Sequence, residues 1–178
     1  MPHSDLVALC DSLVRSVPDY PVPGVVFKDI TPMLADARAL GGVVEFLAGT
    51  ASEHDVDLVA GMEARGFILG APVARELDAG FLAVRKVGKL PDPTVRAAYE
   101  LEYGVAEIEI PEGIIVPGSR VLVIDDVLAT GGTAAATVEM IERCGGEVVA
   151  LSFFLELGFL AGRGRLEGHT VHSLVRND

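Results

Sequence analysis

Two adjacent aspartates and the threonine- and glycine-rich turn that follows them are the residues of this chain best suited to chemistry. They lie in the segment Asp125 to Thr133, directly after four apolar residues, Val121-Leu-Val-Ile124. The apolar run predicts a buried strand, and such a strand ends at the carboxyl edge of a sheet, where open α/β proteins bind ligands. The two glycines let backbone N–H groups converge at the start of the next helix, and the two threonines add hydroxyl donors. The segment therefore predicts a cradle for a phosphate group.

The two aspartates need partners other than the phosphate, because acids beside an anion site repel the anion. Ribose hydroxyls are donors and a bound Mg²⁺ is a cation, and either would satisfy Asp125 and Asp126. The structural alternative is a plain glycine turn with aspartates that cap the helix. The full pattern of four apolar residues, two acids and Ala-Thr-Gly-Gly-Thr favours a ligand with a phosphate, two hydroxyls and Mg²⁺-bound oxygens. No Gly-Lys-Ser/Thr follows, so the segment is not a Walker loop.

Strand and helix patterns alternate through most of the chain and predict the elements that position this segment. Strands are predicted at 57–61, 81–85, 106–110, 121–124, 147–155 and 170–175, and helices at 4–17, 36–54, 65–77 and 132–143. Residues 91–98 lack periodicity, residues 106–110 alternate as a half-exposed strand does, and 99–103 can pair with 106–110 in a hairpin. Together they predict one α/β domain over 1–178, with a mostly parallel central sheet flanked by helices.

Composition argues against several partners. The net charge is −12, so the chain repels nucleic acid and anionic membranes, and neither is expected as a partner. No stretch approaches the ~18 apolar residues of a membrane span, and the first residues lack the pattern of a signal peptide. The two cysteines, Cys10 and Cys144, have no partner ligands at metal spacing. They predict reduced thiols and a cytoplasmic protein.

The few basic residues are concentrated in the middle of the chain. Four cations lie within twelve residues: Arg85, Lys86, Lys89 and Arg96. In a chain this acidic, such a cluster favours a role in binding an anionic substrate over a flexible basic surface loop.

The segment from Asp125 to Thr133 resembles the phosphoribosyl diphosphate motif of the type I phosphoribosyltransferases. Four further segments resemble the adenine branch of that family, in its order and at its spacing: 23–30 (Pro-Gly-Val-Val-Phe-Lys-Asp-Ile), 61–67 (Gly-Met-Glu-Ala-Arg-Gly-Phe), 85–91 (Arg-Lys-Val-Gly-Lys-Leu-Pro) and 99–104 (Tyr-Glu-Leu-Glu-Tyr-Gly). The resemblance runs from about Asp19 to the C-terminus. It implies the type I fold, with a small N-terminal hood formed mainly by 1–35 and a mobile catalytic loop over about 86–103.

The same resemblance implies a division of labour around the sugar phosphate. The 5′-phosphate would bind to Ala129, Thr130, Gly131, Gly132 and Thr133, and the ribose hydroxyls to Asp125 and Asp126. The diphosphate would bind at the turn Glu63-Ala64-Arg65-Gly66, which in the family often contains a strained or cis peptide. Arg65, a fixed charge suited to diphosphate oxygens, is also a catalytic candidate. Some family members have Asp-Ser where this chain has Glu63-Ala64, so only backbone contacts carry over at Ala64.

The remaining assignments concern the leaving group and the base. Lys86 and Lys89 would meet the departing diphosphate, which carries Mg²⁺, and Glu102 would accept or stabilise a proton on the imidazole side of the purine. Phe27 would stack on adenine, while backbone groups of Val26 and Lys28 select it and Ala129 lies beside it. Lys28 stands where many family members carry arginine.

The resemblance implies a purine salvage enzyme that converts adenine and 5-phospho-α-D-ribose 1-diphosphate to AMP and diphosphate, with Mg²⁺, as a homodimer. Two alternatives stay open at this stage. One is the same fold acting on hypoxanthine, guanine or xanthine. The other is a regulator that senses phosphoribosyl diphosphate or AMP without turnover, although the N-terminal helix is too short for a DNA-binding domain and the net charge opposes DNA.

Overall fold

The computed structural model describes residues 1–100 and 105–178. The chain divides into two compact units, Met1–Phe46 and Leu47–Asp178. Within the described ranges, no helix is both long enough and apolar enough to cross a membrane.

The first unit combines helices with a two-stranded antiparallel ribbon. Its elements are α1 (His3–Leu13), β1 (Arg15–Pro18), β2 (Val26–Asp29), α2 (Thr31–Ala35) and the greater part of α3 (Ala37–Gly49). The helix predicted over 4–17 ends early, because residues from Arg15 onward pair with β2, in the register Arg15↔Asp29. Asp36 caps α3 as predicted, since its Oδ1 accepts the N–H groups of Arg38 and Ala39 at 2.9 Å each. The helix stops at Gly49, before the predicted end at residue 54.

The second unit is built on a seven-stranded sheet in the order β5-β6-β4-β3-β7-β8-β9. The strands are β3 (Leu58–Met62), β4 (Gly80–Lys86), β5 (Thr94–Glu100), β6 (Val105–Pro111), β7 (Arg120–Leu128), β8 (Glu147–Leu157) and β9 (Val171–Asn177). Strands β4, β3, β7, β8 and β9 are mutually parallel, whereas β5 and β6 form an antiparallel hairpin at one edge. The mostly parallel sheet is confirmed. Residues 91–98, which lack a periodic pattern in the sequence, nevertheless include the start of a strand, because β5 begins at Thr94 and pairs with β6.

Two helices of the second unit define where a ligand can bind. Helix α4 (Arg65–Glu76) connects β3 to β4, and α5 (Gly132–Arg143) connects β7 to β8. The two connections leave the central pair β3 and β7 in opposite directions along the sheet. Because βαβ crossovers are right-handed, the two helices cover opposite faces. The gap between the carboxyl ends of β3 and β7 is therefore the switch point at which such sheets bind ligands.

Strand β7 is longer than its apolar run. Val121, Leu122, Val123 and Ile124 are fully buried, as the sequence predicts. The strand then continues through both aspartates to Leu128, because β8 runs alongside it, with Asp125 opposite Phe153. The two aspartates thus lie within the strand, not in the loop after it.

Candidate active site

The loop after β7 presents free backbone donors at the start of α5. Gly131 is the N-cap of that helix, has a left-handed φ of 79°, and carries no side-chain cap. Among the hydrogen bonds of the described residues, none is donated by the N–H groups of residues 130–133, while Gly131 O already accepts from Ala135 N at 2.9 Å. These donors and the helix dipole face a cavity of about 70 Å³, lined mainly by 127–134 with Asp125, Met62 and Phe153. The geometry suits a phosphate group.

A short 3₁₀ segment, Gly162–Leu166, supports this loop from behind. A Cβ on Gly131 would overlap the carbonyl oxygen of Gly162, and a Cβ on Gly162 would overlap that of Ala129. Arg163 ties the segment to the sheet, because its Nη2 lies 2.5 Å from Glu156 Oε2 and its Nη1 donates to a β9 carbonyl at 2.7 Å. No local sequence pattern marks Gly162 as part of the site, since the loop that it contacts lies some thirty residues away along the chain.

Asp126, on β7, is buried and faces Arg65, the first residue of α4, which follows the turn after β3. Its Oδ2 lies 2.9 Å from Nε of Arg65, and its side chain is 6% exposed. This contact pairs charges, but the same oxygen accepts no hydrogen bond of good geometry from the described residues. Burial raises the pKa of Asp126, and the Arg65 charge acts in the opposite direction without cancelling the effect. A buried acceptor with spare capacity fits a hydroxyl donor.

Asp125 stands beside Asp126 and lines the cavity. Its Oδ1 accepts the N–H of Asp126 at 2.9 Å, and a Cβ on Gly66 would come within 2.9 Å of that oxygen. Glycine at 66 therefore lets the α4 start approach the carboxylate. Burial, and then the charge of Asp126, raises the pKa of Asp125 well above its usual value. Donors from a sugar, or a cation, would relieve this.

The turn after β3 places Glu63 against strand β4. The peptide bond between Glu63 and Ala64 is cis, as the resemblance implies, and Arg65 begins α4. The Glu63 carboxylate accepts from Nε of Arg85 at 3.3 Å and from the N–H of Lys86 at 3.1 Å. Burial raises the pKa of Glu63, but these hydrogen bonds and the charges of Arg85 and Lys89 outweigh it, so the net pKa is lowered. The acid is ionised and its charge is already balanced by Arg85.

A second cavity, of about 160 Å³, adjoins the first. Its lining combines residues of the turn, the basic cluster and the phosphate loop: Met62, Glu63, Val84, Lys86, Tyr99, Ile108, Asp125 and Thr133. Met62, Asp125 and Thr133 line both cavities. The fold thus brings together residues from four of the segments singled out in the sequence, 61–67, 85–91, 99–104 and 125–133. Met62 and Ile108 were missed because apolar strand residues are indistinguishable from core in a sequence.

The two arginines of the basic cluster pair with carboxylates, whereas the two lysines do not among the described residues. Arg85 pairs with Glu63, and Arg96 lies 3.4 Å from Glu109. Lys86 and Lys89 make no ion pair within 4.0 Å in the part of the chain that is described. Residues 106–110 form the predicted strand, but the prediction that it is half-exposed is wrong at Glu109, which is fully buried because the turn after β4 and strand β5 cover it. Glu102 lies outside the described residues.

The aromatic shelf proposed for the base belongs to the first unit. Phe27 lies on β2 opposite Val17, is half-buried, and packs edge-on against Tyr20 with ring centroids 5.2 Å apart. These side chains and Asp29 line an open cavity of about 230 Å³. Val26 is exposed, and Lys28 is half-buried and donates its Nζ to Ser16 Oγ at 2.9 Å.

A phosphate cradle beside two strand-borne aspartates, with a second cavity at the switch point, is typical of a phosphoribosyltransferase. Residues 31–161 match the family described as the phosphoribosyl transferase domain. The chain is 56% identical over 172 residues to the adenine phosphoribosyltransferase of Thermobifida fusca, covering 97% of this chain and 98% of the relative. The crystal structure of the Rhodothermus marinus adenine phosphoribosyltransferase superposes with a TM-score of 0.94 at 47% identity, covering 98% of this chain and 99% of the other. The yeast enzyme, solved with an imino-altritol bisphosphate and adenine, gives a TM-score of 0.90 at 34% identity, covering 96% and 99%. This chain belongs to the adenine phosphoribosyltransferase family.

Proposed function

We propose that the protein transfers the phosphoribosyl group of 5-phospho-α-D-ribose 1-diphosphate to adenine, releasing AMP and diphosphate. The reaction belongs to purine salvage. The observation that carries the proposal is the pair of adjoining cavities at the switch point, which share Met62, Asp125 and Thr133. One suits a sugar phosphate, and the other, with Lys86 at its wall, suits the leaving diphosphate.

In this reaction the bond from N9 of adenine to the anomeric carbon forms, the bond from that carbon to diphosphate breaks, and the N9 proton is lost. Residues Ala129 to Thr133 would hold the 5′-phosphate through backbone N–H groups. Asp125 and Asp126 would accept the ribose hydroxyls, and the backbone at Ala64 with the Arg65 side chain would bind the diphosphate. The protein's contribution is to position both substrates and to stabilise charge on the departing group.

Magnesium fits this donor set. The raised pKa of Asp125 marks a carboxylate with too little compensating charge, and a cation nearby would supply it. Within the described residues no cluster of three or more potential ligand side chains gathers, so the ion would be held largely by substrate oxygens with Asp125 alongside. When bound, Mg²⁺ would neutralise charge on the diphosphate.

Glu102 and Lys89 are proposed to act on the base and on the leaving group. We expect Glu102→Gln and Lys89→Ala each to lower kcat about 100-fold, since positioned proton transfer and charge stabilisation contribute on that scale. Glu107→Gln, which changes an exposed acid on β6, is the matched control and should keep the wild-type rate. Wild-type rates in both test variants would show that these assignments are wrong.

Base selection is proposed to rest on backbone groups at Val26 and Lys28, around the Phe27 ring. A carbonyl there accepts from the 6-amino group of adenine and an N–H donates to N1. Guanine and hypoxanthine present the opposite polarity, at a cost of about 1–3 kcal/mol for each mismatched group. That the yeast relative is solved with adenine supports this choice.

A panel of bases with Mg²⁺ and phosphoribosyl diphosphate tests the function. Diphosphate release with adenine is expected. Release only with hypoxanthine, guanine or xanthine would move the protein to another substrate class. Tight binding of phosphoribosyl diphosphate without turnover on any base would favour a regulator.

Three features of organisation complete the proposal. The enzyme would be a homodimer and would be cytoplasmic; the two free cysteines, Cys10 and Cys144, are consistent with a reducing compartment. The chain would act as a single phosphoribosyltransferase domain over 1–178, with a hood formed mainly by 1–35 and a catalytic loop over 86–103 that closes on the substrate; residues 101–103 of that loop lie outside the described part of the chain. Light scattering measures the oligomer, and proteolysis with and without phosphoribosyl diphosphate measures closure of the loop.

A further inference from the structure

The most unusual acid outside the two cavities is Glu109, which is fully buried on β6. Its two carboxylate oxygens have separate partners. Oε1 accepts the backbone N–H groups of Lys89 at 2.9 Å and of Leu90 at 3.0 Å. Oε2 accepts from Oγ1 of Thr94 at 3.3 Å and lies 3.4 Å from Nε of Arg96. The side chain therefore fastens the turn that follows β4 to the neighbouring hairpin.

Burying a carboxylate costs free energy unless hydrogen bonds and charges in the protein replace its interactions with water. Burial raises the pKa of Glu109, but the N–H groups of Leu90 and Lys89, the Thr94 hydroxyl and the Arg96 charge outweigh it, so the net pKa is lowered. The group is ionised at neutral pH. An apolar side chain would fill the same space without that cost, but it would leave the two N–H groups of the turn without an acceptor.

The backbone carbonyl of Lys89 is held as well as its N–H group. Arg85 donates Nη1 to the carbonyl oxygen of Lys89 at 3.2 Å, and the same guanidinium binds Glu63. The Lys89 backbone is thus held on its N–H by a side chain of β6 and on its C=O by a side chain of β4. Because one guanidinium, that of Arg85, binds both the Lys89 carbonyl and the Glu63 carboxylate, Lys89 lies beside the turn proposed to bind the diphosphate.

We propose that Glu109 is a positioning residue for the transfer reaction, which fixes the Lys89 backbone so that the ammonium group meets the leaving diphosphate. The inference rests on the proposed function and on the role of Lys89 within it. Glu109 itself lines neither of the two cavities.

A double-mutant cycle separates this role from general support of the fold. The variants are Glu109→Ala, Glu109→Gln, Lys89→Ala and the double variant Lys89→Ala with Glu109→Ala, with Glu107→Ala as the control from an exposed position on the same strand. Steady-state kinetics give kcat and the KM values for adenine and phosphoribosyl diphosphate. Circular dichroism reports folding.

We expect Glu109→Ala to lower kcat about 10- to 100-fold, because a displacement of about 1 Å at a catalytic group has effects of this size. The KM for adenine should change less than about twofold, since the base contacts are elsewhere. Glu109→Gln should retain most activity, because one amide oxygen can still accept both N–H groups. In the Lys89→Ala background, Glu109→Ala should cause little further loss, since residues that act through one another are not additive.

An undiminished effect of Glu109→Ala in the Lys89→Ala background would overturn the inference, as would a wild-type rate for Lys89→Ala. If Glu109→Ala does not fold, Glu109→Asp carries the same cycle, because it keeps the charge but withdraws the acceptor by one methylene. An inactive wild type and an inactive Glu107→Ala control would refute the proposed function itself, and the inference with it, whereas an active control with additive losses refutes the inference alone.

Discussion

Contact with the 3₁₀ segment Gly162–Leu166 is predicted to shape the phosphate loop, and alanine substitutions at three glycines test this prediction. Gly131 has a φ of +79°, and a Cβ there would also overlap the Gly162 carbonyl. Gly162 lacks a positive φ but its Cβ would overlap the Ala129 carbonyl, so it isolates the contact. Gly113 has the same φ of +79° with no heavy atom within 4 Å, so it isolates the backbone conformation.

The expected losses of stability follow from these two contributions. Gly113→Ala should cost about 1–2 kcal/mol, the penalty of a left-handed conformation for an L-residue. Gly162→Ala should cost about 1–3 kcal/mol, because backbone atoms must shift to admit the methyl group. Gly131→Ala combines both and should cost about 2–5 kcal/mol. In a chain of this size each 1 kcal/mol corresponds to about 2–4 °C in Tm.

Binding of phosphoribosyl diphosphate, measured by calorimetry, tests the functional half of the prediction. Gly162→Ala and Gly131→Ala should each weaken it about 10- to 100-fold, since one or two charge-assisted hydrogen bonds from the loop would be lost. Gly113→Ala should bind as the wild type does. If Gly162→Ala binds as tightly as Gly113→Ala, the 3₁₀ segment does not shape the phosphate loop and the reasoning fails.

Two further predictions concern the aspartate pair and the base shelf. Arg65→Met should lower stability at pH 7.5 by about 2–3 kcal/mol, below the usual range for a buried pair because Arg65 is 35% exposed. The pKa of Asp126 is already raised in the native state and should rise further, so the native state binds a proton more tightly, and the loss should shrink as the pH falls toward 5 in urea unfolding. Arg75→Met, which breaks the exposed pair with Asp78, should cost less than about 0.5 kcal/mol at either pH; equal losses in the two variants would contradict the assignment. Phe27→Ala should raise the KM for adenine about 5- to 150-fold, the range of one base-stacking contact, and leave the KM for phosphoribosyl diphosphate unchanged. Equal changes in both KM values would show that Phe27 does not contact the base.

The sequence predicted the parts of the site that are continuous along the chain. The apolar run of β7, the glycine turn and the start of α5 carry their own local patterns. The end of β7 was misplaced because strand pairing is not local: β8 runs beside the aspartates and extends the ladder to Leu128. No residue near Asp125 indicates how far its neighbour strand continues.

The sequence also could not predict which charged side chains are buried in the fold. An alternating strand places Glu107 and Glu109 on the same face, and the pattern treats them alike. In the fold, Glu107 is exposed whereas Glu109 is covered by a turn and a hairpin strand that come from earlier in the chain. The basic cluster shows the same limit, because a run of cations does not reveal which of them are occupied by carboxylates.

The proposed site has to bind an anion although the chain carries a net charge of −12. Three carboxylates of this region each face an arginine: Glu63 with Arg85, Asp126 with Arg65, and Glu109 with Arg96. These pairs leave little local charge. Burial and the neighbouring acid raise the pKa of Asp125. Lys86, at the wall of the second cavity, and Lys89 pair with no carboxylate among the described residues, so their charges are available to an anionic ligand. Arginine suits the fixed, forked pairs within the protein, and lysine, a compact charge on a flexible stem, suits a group that departs. Exchange of Lys86 for alanine should therefore weaken diphosphate binding more at low salt than at high salt, because screening removes the same attraction.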